Sequence, residues 1–122
     1  MSIYIEIDSL ETFDTVTANS KVCVVDFYTI WCAPCKKLAP LLEKNILENS
    51  VLAPLVSTDA NNVKDKLVFA KVDVDQFADL ATTFKVSSIP MIVFYKNGEL
   101  QTDTVKGADL NAIVSTVNKL IA

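Results

Sequence analysis

The sequence contains no histidine. That removes every His-based catalytic arrangement and every Cys/His metal site. Only three cysteines are present. They cannot fill a four-thiolate metal site within one chain, and the odd count does not suit the disulfide framework of a small secreted protein. Basic residues are outnumbered, 11 Lys and Arg against 15 Asp and Glu, for a net charge of −4. Nucleic acid and anionic membranes select for clustered Lys and Arg, so neither is an expected partner. No apolar run approaches the length of a membrane span, and Met1-Ser2-Ile3-Tyr4-Ile5-Glu6 lacks the basic start and apolar core of a signal peptide. The expectation is a soluble, cytoplasmic protein of a reducing compartment.

What is present is enough apolar material for one substantial core: 51% of 122 residues, read as a single domain over residues 1–122. Ile3, Ile5 and Ile7 alternate with polar neighbours as in a half-buried strand, and Asp8 with Glu11 resembles a capping box for a helix over residues 9–18. Residues 22–28 are apolar nearly throughout, as in a strand covered by helices on both faces. A helix over residues 35–49 carries Leu38, Leu41, Leu42 and Ile46 on one stripe, with Pro40 inside it. Residues 50–66 are irregular and long for an α/β connection. Residues 67–73 read as a strand, and Phe77, Leu80, Ala81 and Phe84 as a helix begun by Asp75. Residues 91–95 and 99–105 read as a hairpin turned by Asn97-Gly98, followed by a C-terminal helix from Leu110. Helix-linked strands favour parallel crossovers, so the hairpin is expected to add one antiparallel edge.

The chemistry lies in Trp31-Cys32-Ala33-Pro34-Cys35-Lys36, where a strand meets a helix. A free thiol has a pKa of about 8.5, and the thiolate is the attacking species in disulfide exchange. A helix N-terminus favours that anion. Cys32 would lie at the terminus and attack a substrate disulfide. Cys35, one turn in, is expected to be more buried and to resolve the mixed disulfide. Pro34 needs no intrahelical donor in the first turn. A bare CxxC also arises in half-zinc sites and by chance; the flanking strand and helix give it a redox context. Cys23, in the apolar strand, reads as a small packed hydrophobe.

The stretch from Phe27 to Lys36 resembles the active site of the thioredoxins, with Ala33 in place of the usual glycine, and the resemblance extends over nearly the whole chain. It implies the thioredoxin fold: α/β, a central mixed sheet flanked by helices on both faces. Asp26 matches the family's buried acid, which assists proton transfer at the second cysteine, and Lys71 the lysine near it. Burial in an apolar strand would raise the pKa of Asp26 towards a useful range. Ser87-Ser88-Ile89-Pro90-Met91 looks like the family's cis-proline loop. That implies a cis Ile89–Pro90 bond facing the dithiol, with the Ile89 backbone available to pair with an extended substrate. Trp31 and the loop at Gly107 would complete the docking surface. Residues 50–66 depart from the compact pattern of the family.

The resemblance implies a monomeric protein-disulfide reductase without bound cofactor or metal, recharged by a separate thioredoxin reductase fed by NADPH. Three other readings stay open on sequence alone. They are a disulfide oxidase or isomerase, an interaction module with an incidental dithiol, and a metal-bridged dimer of two CxxC motifs.

Overall fold

A computed structural model describes residues 2–122. The apolar run forms strand β2 (Val22–Tyr28), and all seven residues are buried. Such a strand needs cover on both faces, and the helices supply it. On one face, Val22, Val24, Leu67, Phe69, Ile92 and Phe94 pack under helices α2 (Ala33–Leu47) and α4 (Leu110–Ile121). On the other, Cys23, Val25, Phe27, Val68, Val72 and Val93 pack under α1 (Leu10–Asn19) and α3 (Ala78–Thr83). The remaining strands are β1 (Tyr4–Glu6), β3 (Leu67–Asp73), β4 (Met91–Lys96) and β5 (Glu99–Lys106). The sheet order is β1-β3-β2-β4-β5. This is the expected mixed α/β sheet, flanked on both faces.

Strand direction differs from expectation. β1 and β2 run parallel to β3, but β4 is antiparallel to β2 as well as to β5. The helix between β3 and β4 is therefore not a parallel crossover. Both ends of the connection line one hollow beside Trp31, with Val74 and Asp75 leaving β3 and Val86 to Ile89 leading into β4. The chain therefore turns back at the end it left, and β4 begins where β3 stopped.

Local signals are also redistributed. The cap of α1 is Ser9 rather than Asp8: its Oγ accepts the Thr12 N–H at 3.1 Å. Helix α3 starts without a side-chain cap, so Asp75 is free for another role. Leu41 is 54% exposed, while Leu38, Leu42 and Ile46 are buried. The hairpin turns as expected, with positive φ at both Asn97 and Gly98.

Residues 50–66 are built into the body. Leu52 is fully buried in the α2/α4 core, a single 3₁₀ turn follows at Ala53–Leu55, and Val63 is buried in the α1/α3 core. The Ser57 N–H donates to the Leu67 carbonyl, and the Lys21 N–H to that of Lys66. The segment thus passes from one face to the other beneath the N-terminal ends of β2 and β3. Among the described residues no helix is long and apolar enough to cross a membrane.

Candidate active site

β2 delivers the chain to the dithiol. Thr29, Ile30 and Trp31 form the turn, Cys32 is the N-cap of α2, and Pro34 lies in its first turn, where no donor is needed. Cys32 and Cys35 are joined by a disulfide, with their Cα atoms 5.3 Å apart. The Cys35 N–H points at Cys32 Sγ, at 3.3 Å. In the reduced protein that donor, together with the helix dipole, favours the Cys32 thiolate. The two cysteines are almost equally buried, 4% and 5% exposed. The expected contrast in depth is absent because the disulfide seats both sulfurs against Tyr28 and Ile89. They differ instead in what they face. Cys32 Sγ lies 3.9 Å from the Ile89 carbonyl oxygen. Cys35 lines a hollow of about 300 Å³ shared with Tyr28, Lys36 and Lys71.

The Ile89–Pro90 bond is cis. The Gly107 N–H donates to the Pro90 carbonyl at 2.8 Å, so the glycine loop and the proline loop are tied together. Gly107 has φ +92° and open space where a Cβ would stand. Backbone conformation, rather than crowding, calls for glycine there. Trp31 and Ile30 are 67% and 68% exposed beside the disulfide. The Trp31 indole N–H donates to Asp75 Oδ2 at 2.9 Å.

Beneath the dithiol, Asp26 is buried on β2, and its Oδ1 has no hydrogen-bond partner. Burial pushes its pKa up from 3.8 to about 7; Lys71 opposes that and Glu6 adds to it. Lys71 is the register partner of Asp26 across β2 and β3, but it forms no ion pair among the described residues. Its Nζ instead lies over the ring of Tyr28, at 4.2 Å, and that of Tyr4, at 5.0 Å. Cys23 is fully buried, and burial pushes its thiol up to about 12. Among the described residues no three His, Cys, Asp or Glu side chains are grouped to hold a metal ion.

The structure thus gathers Cys32, Cys35, Trp31, Ile89, Pro90 and Gly107 at one end of the sheet. Asp26 and Lys71 lie beneath. Sequence reasoning missed Tyr28, Tyr4 and Glu6 around Lys71, and Asp75 against Trp31. Only Tyr28 left a trace in the sequence: it follows Asp26 by two strand positions and so shares its face.

A thioredoxin family model matches the chain over residues 5–51 and 48–119. The two matches meet where the long connection begins. Thioredoxin of Malassezia sympodialis is 36% identical over 113 residues, 93% of this chain and 94% of that protein. Thioredoxin of Coprinus comatus is 34% identical over 116 residues, 95% of this chain and 96% of that protein. The crystal structure of the Malassezia protein superposes with a TM-score of 0.77 at 34% identity, covering all of this chain and 94% of the other. Sheet order, paired cysteines and full-length kinship agree, and the chain belongs to the thioredoxin family of dithiol–disulfide oxidoreductases.

Proposed function

We propose that this protein reduces disulfides in other proteins, with Cys32 as the attacking and Cys35 as the resolving residue. The observation that carries the reading is the placement of Cys32 Sγ, under the Cys35 N–H and beside the Ile89 carbonyl. A sulfur so placed is favoured as a thiolate and has a backbone acceptor next to it for an incoming extended chain.

In the first step the Cys32 thiolate attacks one sulfur of the substrate disulfide. A Cys32–substrate disulfide forms, the substrate S–S bond breaks, and one substrate thiolate leaves. In the second step Cys35 gives its proton to Asp26 and attacks Cys32 Sγ. The Cys32–Cys35 disulfide forms, the mixed disulfide breaks, and the second substrate thiolate leaves and is protonated. The substrate gains two electrons and the dithiol loses them. A pKa of about 7 lets Asp26 both accept and return a proton near neutrality. Lys71 adjusts that proton affinity. Trp31, Ile89, Pro90 and Gly107 form the surface on which the substrate lies.

The resulting disulfide must be reduced again, so a thioredoxin reductase is the proposed electron donor and no bound cofactor is assigned. A monomer in the cytoplasm completes the proposal: the unpaired Cys23 and a dithiol that is recycled suit a reducing compartment. Reduction of insulin disulfides by the wild type and by Cys32→Ser tests the reading. Loss of turnover in the variant is expected; equal turnover would remove Cys32 from the reaction.

A further inference from the structure

Lys71 occupies an unusual position. Its register partners on the two neighbouring strands are both carboxylates, Glu6 on β1 and Asp26 on β2. An ammonium between two such groups would be expected to pair with one of them. It pairs with neither. Tyr28 reaches across β3 and donates its hydroxyl to Glu6 Oε2 at 2.6 Å. The Tyr28 ring lies over the Lys71 ammonium at 4.2 Å, and the Tyr4 ring closes from β1 at 5.0 Å. The Tyr4 ring is itself braced edge-on against Phe69. Asp26 Oδ1 and the Tyr4 hydroxyl remain buried without partners.

We propose that Tyr28 and Tyr4 are positioning residues for the dithiol reaction: their ring faces hold the Lys71 ammonium away from Asp26, leaving that carboxyl free to exchange a proton. The proposal rests on the reading of Asp26 as the proton acceptor for Cys35.

The physical basis is a competition for one cation. Aromatic faces attract an ammonium, the more so as water is withdrawn, and Lys71 is half-buried between the two rings. Direct pairing with Asp26 would hold the carboxylate ionised and lower its pKa by about 1–3, which would take it out of the range where it can return a proton. The titratable groups that act on Asp26 are Lys71 from β3, Glu6 and Tyr4 from β1 and Tyr28 from β2; Glu43 from α2 and Asp73 from β3 face the two tyrosines, Cys35 from α2 packs against Tyr28, and Lys36 from α2 lines the hollow with Lys71. Lys71 is the cation that acts on Asp26. Its placement therefore sets the balance, and the raised proton affinity of Asp26 agrees with an ammonium held at arm's length.

The test reads the Asp26 titration directly by carboxyl ¹³C NMR on the full protein, apart from catalysis. Glu6→Gln serves as the background, so that Asp26 is the only carboxylate in register with Lys71. Adding Tyr28→Leu should lower the Asp26 midpoint by about one pH unit or more, and adding Tyr28→Phe should leave it in place. Tyr4→Leu, at a half-buried position on an edge strand, gives a second route to the same fall if the Tyr28 variant does not fold. An unchanged midpoint in both Leu variants would overturn the proposal. So would an equal fall with Lys71→Met also present, because the rings would then be acting through burial alone. Failure of the underlying reading looks different: Asp26→Asn would resolve mixed disulfides at the wild-type single-turnover rate, whatever the midpoints do.

Discussion

Trp31 and Asp75 are joined by an indole-to-carboxylate hydrogen bond of 2.9 Å across 44 positions of sequence. The residue before Cys32 is thereby tethered to the loop that follows β3. The tether holds an otherwise exposed ring in one orientation beside the disulfide. Asp75→Ala should release the ring with little effect on the fold. An exposed hydrogen bond of this kind contributes on the order of 0.5–1 kcal/mol, so KM for a protein disulfide should rise about two- to fivefold with kcat nearly unchanged. Steady-state insulin reduction measures both; a fall in kcat alone would show that the tether acts on chemistry instead of docking.

Asp26→Asn should slow the second step and leave the first intact. General-base assistance contributes upwards of about 100-fold, so resolution of a preformed mixed disulfide at pH 7 should slow on that order. Wild-type resolution should quicken as pH rises through about 7, where Asp26 loses its proton, and the variant should lack that rise. Stopped-flow single turnovers across pH 5–9 separate the two.

The same substitution should stabilise the protein in a pH-dependent way. The folded-state pKa of Asp26 lies above its ordinary value of 3.8, at about 7. The folded state therefore holds the proton more tightly than the unfolded state between these values, and stability falls as pH rises through that window. The full contribution is present below about pH 4 and is lost by about pH 8. It amounts to roughly 4 kcal/mol at most, at 1.36 kcal/mol per pH unit. Asp26→Asn should therefore exceed the wild type in stability at pH 8 by more than at pH 4. Urea unfolding at the two pH values gives the comparison, and parallel curves would contradict it.

Leu52 and Val51 are neighbours with opposite fates, fully buried and 68% exposed. Leu52→Ala should cost about 2–5 kcal/mol, as for a buried leucine. Val51→Ala should stay within about 0.5 kcal/mol of the wild type. Equal effects in chemical denaturation would mean that the long connection does not contribute to the core.

The two glycines separate conformation from crowding. Both have positive φ, but a Cβ on Gly98 would stand 2.9 Å from the Ala18 carbonyl oxygen, while one on Gly107 would meet nothing within 4 Å. Gly107→Ala should cost the backbone term alone, about 1–2 kcal/mol. Gly98→Ala should cost more than that, because backbone at the end of α1 must also move. Thermal unfolding of the two variants gives the order.

How much of this was legible depends on whether a signal is local. β2 was plain because its run of apolar residues admits no exposed face, and Asp26 stood out as the single charge in it. The dithiol, the hairpin and the α4 stripe were likewise carried by adjacent residues. Leu41 was misplaced because a count of threes and fours ignores angle. With about 100° between successive residues, Leu41 falls roughly 100° from the centre of the buried stripe through Leu38, Leu42 and Ile46. The direction of β4 was hidden because periodicity has no sense of direction; it is decided by the return of residues 86–89 to the hollow that Val74 and Asp75 line. The tyrosine pair around Lys71 required the order β1-β3-β2, which places residues 4, 28 and 71 on one face of adjacent strands.

The passage of residues 50–66 beneath the sheet gives the molecule a usable polarity. The exposed residues Thr58, Asp59, Asn61 and Asn62 lie at the N-terminal ends of β2 and β3, and the disulfide at the opposite end, about 23 Å away along a seven-residue strand. A fluorophore, tether or solid support attached at Asn61 would therefore leave Cys32 and the Ile89 edge facing solution. Every immobilised copy would present its dithiol outward, so clients caught as mixed disulfides could be collected on a surface without the attachment competing for the docking face.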